Sequence, residues 1–377
     1  MYKINFQKPI HIHFIGIGGI SMSGLAEILL EEGFTVSGSD AKESPLTKKL
    51  ESEGAVIHYG QCAENITDDI NCVVYTAAIN KSNPELMEAV GKKIPMLTRA
   101  ELLGQLMKNY DTPIAVSGTH GKTTTTSMIS EVLLAADMDP TISVGGILKT
   151  IGGNIRVGKS GNFITEACEY TNSFLHFYPK ISVILNIEED HLDFFKDLED
   201  IRHSFHQFSA LLPSDGTLII NGDIKDYQEI YEGLDCNVIT YGSSAEFDYS
   251  ATEIQYDEKG FVSFELLKHN TSCGRVQLSV TGDHNVSNAL AAIATAELLG
   301  IPMDTIRKGL LSFSGTDRRF EYKGTIGGVT IIDDYAHHPT EIAATLHAAA
   351  NYPHKTLWCV FQPHTYTRTK ALLPEFA

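Results

Sequence analysis

The sequence is poor in cysteine and has no paired cysteine motif. Six cysteines occur in 377 residues, and no two of them are separated by only two residues. They are dispersed along the whole chain: Cys62, Cys72, Cys168, Cys236, Cys273 and Cys359. This distribution is typical of reduced thiols in a cytosolic protein, and it excludes both a disulfide framework and a cysteine zinc site.

Long apolar runs are also absent. A run such as residues 181–187 has the length of a strand, whereas a membrane helix needs about 20 apolar residues. The first five residues contain no charged start that leads into an apolar stretch, so no signal peptide is expected. We therefore expect a cytoplasmic protein without membrane insertion.

Positive charge is scarce. Lys and Arg number 29 against 47 Asp and Glu, which gives a net charge of −18. Such a surface repels phosphate backbones and anionic lipids, so nucleic acid is not an expected partner. An anionic small molecule could still bind where basic side chains cluster locally.

Strands and helices alternate along the chain, which predicts an α/β fold with parallel sheets. Strand, turn and helix follow one another from residues 11, 114 and 329. Since a domain contains roughly 100–200 residues, we predict three domains, at 1–109, 110–314 and 315–377. The central domain should carry an antiparallel edge from about residue 238 to residue 280.

The third predicted domain is short. It contains one strand at residues 329–332, a helix after Pro339 and a second strand at 355–361. About 60 residues are too few for a doubly wound domain of typical size. The sequence therefore predicts an incomplete third domain, and we expect the natural protein to continue.

A glycine-rich turn connects the first strand to the first helix. Gly16, Gly18 and Gly19 lie in this turn, and Asp40 ends the next strand. Glycines allow a diphosphate to approach a helix N-terminus, and an acid about 20 residues further on can bind a ribose. Ser21 replaces the third glycine of the dinucleotide motif. Both a nucleotide site and a turn without a ligand remain open from this motif alone.

A second glycine turn lies between a strand and a helix in the central domain. It comprises Gly118, Thr119, His120, Gly121, Lys122, Thr123 and Thr124. A lysine and a hydroxyl after such a turn suit a triphosphate, because Lys122 offsets phosphate charge and Thr123 can bind Mg²⁺. Val116 stands where the full motif has glycine, so the pattern is a shortened phosphate loop.

Acidic clusters follow two of the buried strands. Glu166 and Glu169 belong to one cluster, and residues 186–191 form the other, which ends at His191. Carboxylates at the ends of parallel strands lie near the phosphate loop, where Mg²⁺ needs oxygen ligands. His191 fits a metal ligand and a surface histidine equally well.

Several polar side chains nearer the end of the chain are further candidates. His284 and Asn288 open a helix and could cap it or contact a nucleobase. Arg319 could be a solvated cation or a phosphate clamp. Titratable groups follow two strand ends of the third domain, and the candidates among them are Asp333, His337, His364 and Arg368.

In combination, these motifs resemble the Mur ligase superfamily. The resemblance covers the whole chain and rests on several motifs in one order. These are residues 13–20, 38–40, 118–126, 186–193, 284–292, 318–321, 333–341 and 362–364. The implied fold has a Rossmann-like first domain, a phosphate-loop ATPase-like central domain and a partial Rossmann-like third domain. The start of the first domain and residues 337–341 are similar to the family branch that adds L-alanine.

The resemblance implies an ATP-dependent ligase. Its substrates would be UDP-N-acetylmuramic acid, L-alanine and ATP, with Mg²⁺ or Mn²⁺ as the metal. The lactyl carboxylate would be phosphorylated to an acyl phosphate and then attacked by the amine, in peptidoglycan precursor synthesis. We expect a monomer or weak homodimer.

The resemblance also implies roles for individual residues. The UDP-sugar would contact Gly16, Gly18, Gly19, Ser39, Asp40, Thr76, Ala77, Ala78 and Ile79. ATP would contact Gly118, Thr119, His120, Gly121, Lys122, Thr123, Thr124, His284 and Asn288. Metal ligands would be Thr123, Glu166 and His191. Catalytic groups would be Lys122, Arg319, Asp333 and His337. The amino acid would contact His337, His364 and Arg368.

Thr365 stands where the family often has arginine, so recognition of the amino-acid carboxylate should depend on Arg368. Three alternatives remain open. A related ligase adds a peptide to the same sugar, an oxidoreductase could use the first glycine turn, and a nucleotide-binding module could lack turnover. The oxidoreductase would leave the second glycine turn and the acidic clusters unexplained.

Overall fold

The computed structural model describes residues 2–76, 78–352 and 354–376. Strands form three sheets, which follow one another in chain order. No helix in these described ranges has both the length and the hydropathy needed to cross a bilayer.

The first sheet has five parallel strands in the order β3-β2-β1-β4-β5. The strands are β1 His11–Ile15, β2 Thr35–Asp40, β3 Val56–Tyr59, β4 Cys72–Tyr75 and β5 Met96–Thr98. The helices are α1 Ile20–Glu31, α2 Pro45–Ser52, α3 Pro84–Gly91 and α4 Arg99–Met107. Four of the five residues of β1 are buried because helices cover both faces of the sheet.

The second sheet has ten strands in the order β15-β14-β13-β12-β11-β10-β6-β9-β7-β8. The first five strands in chain order are β6 Thr112–Ser117, β7 Thr141–Leu148, β8 Gly153–Arg156, β9 Asn162–Ala167 and β10 Ile181–Ile184. The others are β11 Thr217–Asn221, β12 Asn237–Gly242, β13 Tyr249–Tyr256, β14 Phe261–Lys268 and β15 Thr271–Thr281. The helices are α5 Lys122–Ala135, α6 Leu198–Ser209, α7 Asp283–Leu298 and α8 Met303–Ser312.

The predicted antiparallel edge of the central sheet is confirmed for β13, β14 and β15, whereas β12, at the start of the predicted range, pairs in parallel with β11 and β13. β13 pairs with β14 and β14 with β15, both in antiparallel register. The core of the sheet is parallel, with β6 between β10 and β9. The carboxyl ends of these three strands therefore meet at one edge, where parallel sheets place their ligands.

The third sheet is a hairpin of β16 Glu321–Ile326 and β17 Val329–Asp333. α9 Pro339–Ala350, α10 Tyr366–Ala371 and α11 Leu373–Phe376 follow it. The predicted strand at residues 355–361 is wrong, because no described residue in this range pairs with a strand. Trp358 is 84% exposed and Val360 99% exposed. The apolar side chains of this range are therefore not buried in a sheet, and among the described residues its backbone has no neighbouring strand to hydrogen-bond with. The domain boundaries at 109 and 314 stay predictions.

Candidate nucleotide and amino-acid sites

The first glycine turn is closed by the end of β2. The backbone N–H groups of Gly16 and Ile17 donate to the carbonyl of Ser39 at 2.8 and 3.0 Å. The N–H of Gly18 donates to Oδ2 of Asp40 at 2.8 Å. A Cβ at Gly18 would lie 2.8 Å from the same carboxylate oxygen, so only glycine fits this contact. The turn and Asp40 thus form one unit at the start of α1.

The end of β4 lies against this turn. A Cβ at Gly16 would be 3.5 Å from Cγ2 of Thr76 and 3.9 Å from Cδ1 of Ile79. The N–H of Ala78 donates to Oγ1 of Thr76 at 3.0 Å. Ala77 lies outside the described residues. The structure therefore brings together the described residues that were predicted to hold the UDP-sugar.

Glu85 supports this region and was missed by the sequence analysis. Its carboxylate is fully buried and accepts from Oγ of Ser39 at 2.6 Å and from Nδ2 of Asn65 at 2.5 Å. Burial would raise the pKa of Glu85, but hydrogen bonds from His13, Ser39 and Asn65 lower it below its ordinary value. Ser39 therefore supports the strand end through a buried hydroxyl. A glutamate in the first turn of a helix gives no signal of such burial.

The second glycine turn has the backbone of a phosphate loop. Gly118 has φ +145° and Gly121 has φ +82°, values that favour glycine. Gly121 immediately precedes Lys122, the first residue of α5. The loop therefore ends at the N-terminus of a 14-residue helix, which favours bound anions.

The acidic segment after β10 fixes the shape of this loop. The N–H of His120 donates to Oδ1 of Asn186 at 2.7 Å, and Nδ2 of Asn186 donates to the carbonyl of His120 at 3.1 Å. The N–H of Glu188 donates to Oγ1 of Thr119 at 2.9 Å. The two sequence motifs thus form one structure.

Lys122 is held by Glu169 and by the loop itself. Its Nζ lies 3.0 Å from Oε2 of Glu169 and also donates to the carbonyls of Gly118 and Thr119. Burial would lower the pKa of Lys122, but the charge of Glu169 raises it. Glu169 lies in an acidic cluster of the sequence, which gives no sign that it is the partner of the lysine.

The predicted metal ligands offer suitable donors. Glu166 is half-buried, and burial raises its pKa against hydrogen bonds from the Gly145 N–H and the Thr123 hydroxyl. The imidazole of His191 has a lowered pKa because it is partly buried, so it is neutral and can bind a metal. A carboxylate that accepts from a neighbouring hydroxyl fits Mg²⁺ or Mn²⁺. The joint role of Glu166 and His191 as metal ligands stays a prediction.

A cleft of about 970 Å³ opens from the phosphate loop. Its lining includes the predicted ATP contacts His120, Gly121, Thr124, His284 and Asn288, together with Arg319. Asn288 is buried, and its Oδ1 accepts from Oγ1 of Thr125 at 3.1 Å. A Cβ at Gly121 would lie 2.7 Å from the same oxygen, so Asn288 packs directly against the loop.

The third segment of the chain, residues 315–377, contacts the central segment, residues 110–314, at His120 of the phosphate loop. Its Nε2 lies 3.4 Å from Oε2 of Glu188, and its Nδ1 lies 3.3 Å from Oε1 of Glu341 in α9. Burial would lower the pKa of His120, but hydrogen bonds to the two carboxylates raise it to about 9. Burial would likewise raise the pKa of Glu341, but His120 and Arg319 hold it well below its usual range. The pair is therefore charged at neutral pH.

His120, Glu188 and His338 also place three potential ligand atoms within 4.8 Å of one another. Among the described residues this is the one such group of histidine, cysteine and carboxylate side chains. Nε2 of His338 is already directed at the carbonyl of Glu189 at 3.1 Å, and Oε2 of Glu188 accepts from Thr340 at 2.7 Å. These hydrogen bonds make the group a contact between segments.

A second, smaller cavity of about 230 Å³ lies between the central and third segments. Its lining includes His191, His337, His364 and Arg368, so three of these four are the predicted amino-acid contacts. Arg368 forms a bidentate ion pair with Asp190. The predicted catalytic residue Asp333 lines neither cavity and lies 3.8 Å from Nε of Arg318. Its neighbour Asp334 lines the larger cleft instead.

A parallel α/β sheet with a glycine loop, a lysine and nearby carboxylates defines a nucleotide-phosphate-binding protein. Three family models match the chain: "Mur ligase family, catalytic domain" at residues 11–111, "Mur ligase middle domain" at 116–296 and "Mur ligase, glutamate ligase domain" at 318–377. The chain belongs to the Mur ligase family.

Individual relatives are similar along the whole chain. UDP-N-acetylmuramate–L-alanine ligase of Agathobacter rectalis is 64% identical over 377 residues, which cover 100% of this chain and 82% of the relative. The crystal structure of UDP-N-acetylmuramate-alanine ligase from Thermotoga maritima is 30% identical with a TM-score of 0.77, covering 91% of this chain and 78% of that one.

A solved ligase with a different substrate is also similar. This is the UDP-N-acetylmuramate:L-alanyl-gamma-D-glutamyl-meso-diaminopimelate ligase from Neisseria meningitides, at 31% identity and a TM-score of 0.74. It covers 82% of this chain and 100% of that one. Fold similarity therefore includes ligases that add one amino acid and ligases that add a peptide.

Proposed function

We propose that this chain is an ATP-dependent ligase that joins L-alanine to the lactyl carboxylate of UDP-N-acetylmuramic acid. The observation that carries this proposal is the 64% identity, over the full chain, to a relative named for that reaction. The site supplies the required parts, since a phosphate loop with its lysine opens into a large cleft beside a small cavity that contains an arginine.

The reaction needs an activated carboxylate, because a carboxylate is a poor electrophile at neutral pH. The lactyl oxygen attacks the γ-phosphorus of ATP, ADP leaves, and an acyl phosphate forms. The amine nitrogen of L-alanine then attacks the acyl carbon and phosphate departs. The protein contributes chiefly by positioning the reactants and by stabilising charge.

Lys122 and the phosphate loop stabilise the charge of the transferred phosphoryl group. The lysine contacts Glu169 and two loop carbonyls. ATP offers the same ammonium group a stronger anionic partner, with the loop N–H groups beside it at the start of α5. Thr123 and Glu166 would hold Mg²⁺, with His191 as a further ligand, and the metal would supply charge neutralisation at the phosphates.

His337 has the geometry of a base for the incoming amine. Its Nδ1 lies 2.9 Å from the carbonyl of Tyr335, so the Nδ1–H donates to this oxygen. This tautomer leaves the lone pair on Nε2. Since His337 lines the smaller cavity, Nε2 is available to accept a proton from the ammonium group of the amino acid.

The size of the smaller cavity favours alanine over a peptide. Pockets for drug-sized ligands have volumes of roughly 300–1,000 Å³, and this one measures about 230 Å³. A peptide-adding ligase is the second candidate, because the Neisseria enzyme has a similar fold. Turnover with L-alanine against turnover with the tripeptide separates the two.

The proposal is tested by calorimetry and by ADP release. UDP-N-acetylmuramic acid should bind in the micromolar range while NADH does not bind. ADP release should require both the UDP-sugar and L-alanine. Binding of NADH alone would restore the oxidoreductase and contradict the ligase. Sugar binding without any amino-acid-dependent ADP release would instead support a binding module that lacks turnover.

A further inference from the structure

Asp190 and Arg368 form the most enclosed ion pair between the central and third segments. Asp190 lies in the acidic segment after β10, and Arg368 lies in α10, 178 positions away. Nε of Arg368 donates to Oδ1 at 2.9 Å and Nη2 donates to Oδ2 at 3.1 Å. Both side chains are only 9% exposed, so solvent screens the pair weakly.

The carboxylate of Asp190 is itself fixed by its own loop. The backbone N–H of His191 donates to Oδ1 of Asp190 at 2.8 Å. Asp190 therefore belongs rigidly to the loop that carries His191, and it offers a carboxylate of fixed orientation to the arginine. Both Nε and Nη2 of the arginine contact this carboxylate, which fixes the orientation of the guanidinium.

The donor count of Arg368 leaves a donor on Nη1 for another carboxylate. The guanidinium has five N–H donors, and Asp190 engages Nε and Nη2, since Nη2 lies 2.8 Å from Oδ1 and 3.1 Å from Oδ2. Nη1 donates to the carbonyl of His364 at 2.6 Å. Within the described part of the chain, the second N–H on Nη1 has no hydrogen-bond partner.

The remaining Nη1 donor suits the carboxylate of the amino acid. His364 and Arg368 both line the cavity of about 230 Å³. Glu189 and Asp193 also line it, so its carboxylates would repel an anion unless a cation were held in a fixed orientation. Asp190 offsets part of the charge of Arg368 and fixes the orientation in which Nη1 is presented.

We propose that Asp190 is a positioning residue for the amino-acid substrate, holding Nε and Nη2 of Arg368 so that Nη1 binds the substrate carboxylate. The inference rests on the proposed ligase function. It connects the loop that carries a candidate metal ligand to the amino-acid site of the third segment. The positioning acts on binding of the amino acid, before the acyl transfer.

The test is steady-state kinetics of Asp190→Asn, with ADP release as the readout. Asn keeps the size of the side chain but has neither the charge nor the second acceptor oxygen. We expect the KM for L-alanine to rise about tenfold, with kcat at saturating alanine and the KM values for ATP and UDP-sugar changed less than about threefold. Asp190→Glu restores a carboxylate and should recover part of the alanine affinity.

Two comparisons show whether a raised KM for L-alanine comes from the loss of Arg368 positioning, from the loss of a negative charge in the cavity, or from misfolding. Asp193→Asn removes a carboxylate of the same cavity that accepts from the hydroxyl of Tyr170, and it should not raise the KM for L-alanine. Calorimetric binding of the UDP-sugar to Asp190→Asn should match the parent chain, which shows that the variant is folded. Should that binding be lost, the Asp190→Glu variant decides the question.

Two outcomes would overturn the inference while the parent chain remains active with L-alanine. An unchanged KM for alanine in Asp190→Asn would show that Arg368 needs no partner. A lower KM would show that Asp190 competes with the substrate for the arginine. If the parent chain itself releases no ADP with L-alanine, the proposed function fails first and the role of Asp190 in alanine binding falls with it.

Discussion

The ammonium nitrogen of Lys122 lies 3.0 Å from Oε2 of Glu169, whose side chain is only 3% exposed. The pair joins the phosphate loop to the end of β9, so the lysine is fixed before any nucleotide binds. An unpaired buried ammonium would be costly, and the glutamate removes that cost. ATP must therefore compete with Glu169 for the lysine.

Lys122 is expected to be essential for turnover. Lys122→Met keeps most of the chain length but removes the charge that offsets the phosphates. We expect kcat to fall on the order of 10²–10³-fold, because a fixed positive group stabilises the transition state most. Lys308→Met, at an exposed position in α8, is the matched control and should retain full activity. Normal turnover by Lys122→Met would contradict the assignment.

Glu166 is expected to determine the magnesium requirement. Glu166→Gln replaces a carboxylate ligand with an amide, so the Mg²⁺ concentration for half-maximal activity should rise about tenfold or more. A magnesium titration of ADP release measures this directly. Glu199→Gln, at an exposed position in α6, should leave the titration unchanged. An unaltered titration in Glu166→Gln would remove Glu166 from the metal site.

His120 is expected to make stability depend on pH. Its pKa is raised from 6.5 to about 9 by Glu188 and Glu341, in spite of burial. A raised pKa in the folded state means that the stabilisation is fully present below pH 6.5 and is lost as pH rises through about 9. The urea midpoint should therefore fall over this range, and the fall should be smaller in His120→Gln. If the urea midpoint falls equally with pH in both proteins, the contacts of His120 with Glu188 and Glu341 do not contribute to stability.

Gly18 is expected to be required for the UDP-sugar. In Gly18→Ala the new Cβ would lie 2.8 Å from Oδ2 of Asp40, so the turn or the carboxylate must move. We expect the affinity for UDP-N-acetylmuramic acid to fall about tenfold or more in calorimetry. Gly91→Ala, where a Cβ has nothing within 4 Å, is the matched control and should bind normally. Tight binding by Gly18→Ala would place the sugar elsewhere.

Local motifs were enough to predict both glycine turns and most of the first two sheets. The turns at Gly16, Gly18 and Gly121 need glycine for their backbone conformation or close contacts, and this need is visible in a few neighbouring residues of the sequence. The antiparallel edge was predictable for the same reason, because strand alternation is local. The prediction of a strand at residues 355–361 was wrong because an apolar pattern in the sequence does not supply a neighbouring strand to pair with.

The sequence by itself determined the family, the phosphate loop and the chemical types of the candidate side chains, because these depend on residue identity and short spacing. Only the tertiary structure decided the partners of those side chains. Glu169 beside Lys122, Glu341 beside His120 and Asp190 beside Arg368 are 47, 221 and 178 positions apart in the chain. Charges so distant in sequence meet only when packed strands and helices bring them together, and burial then sets the strength of each pair.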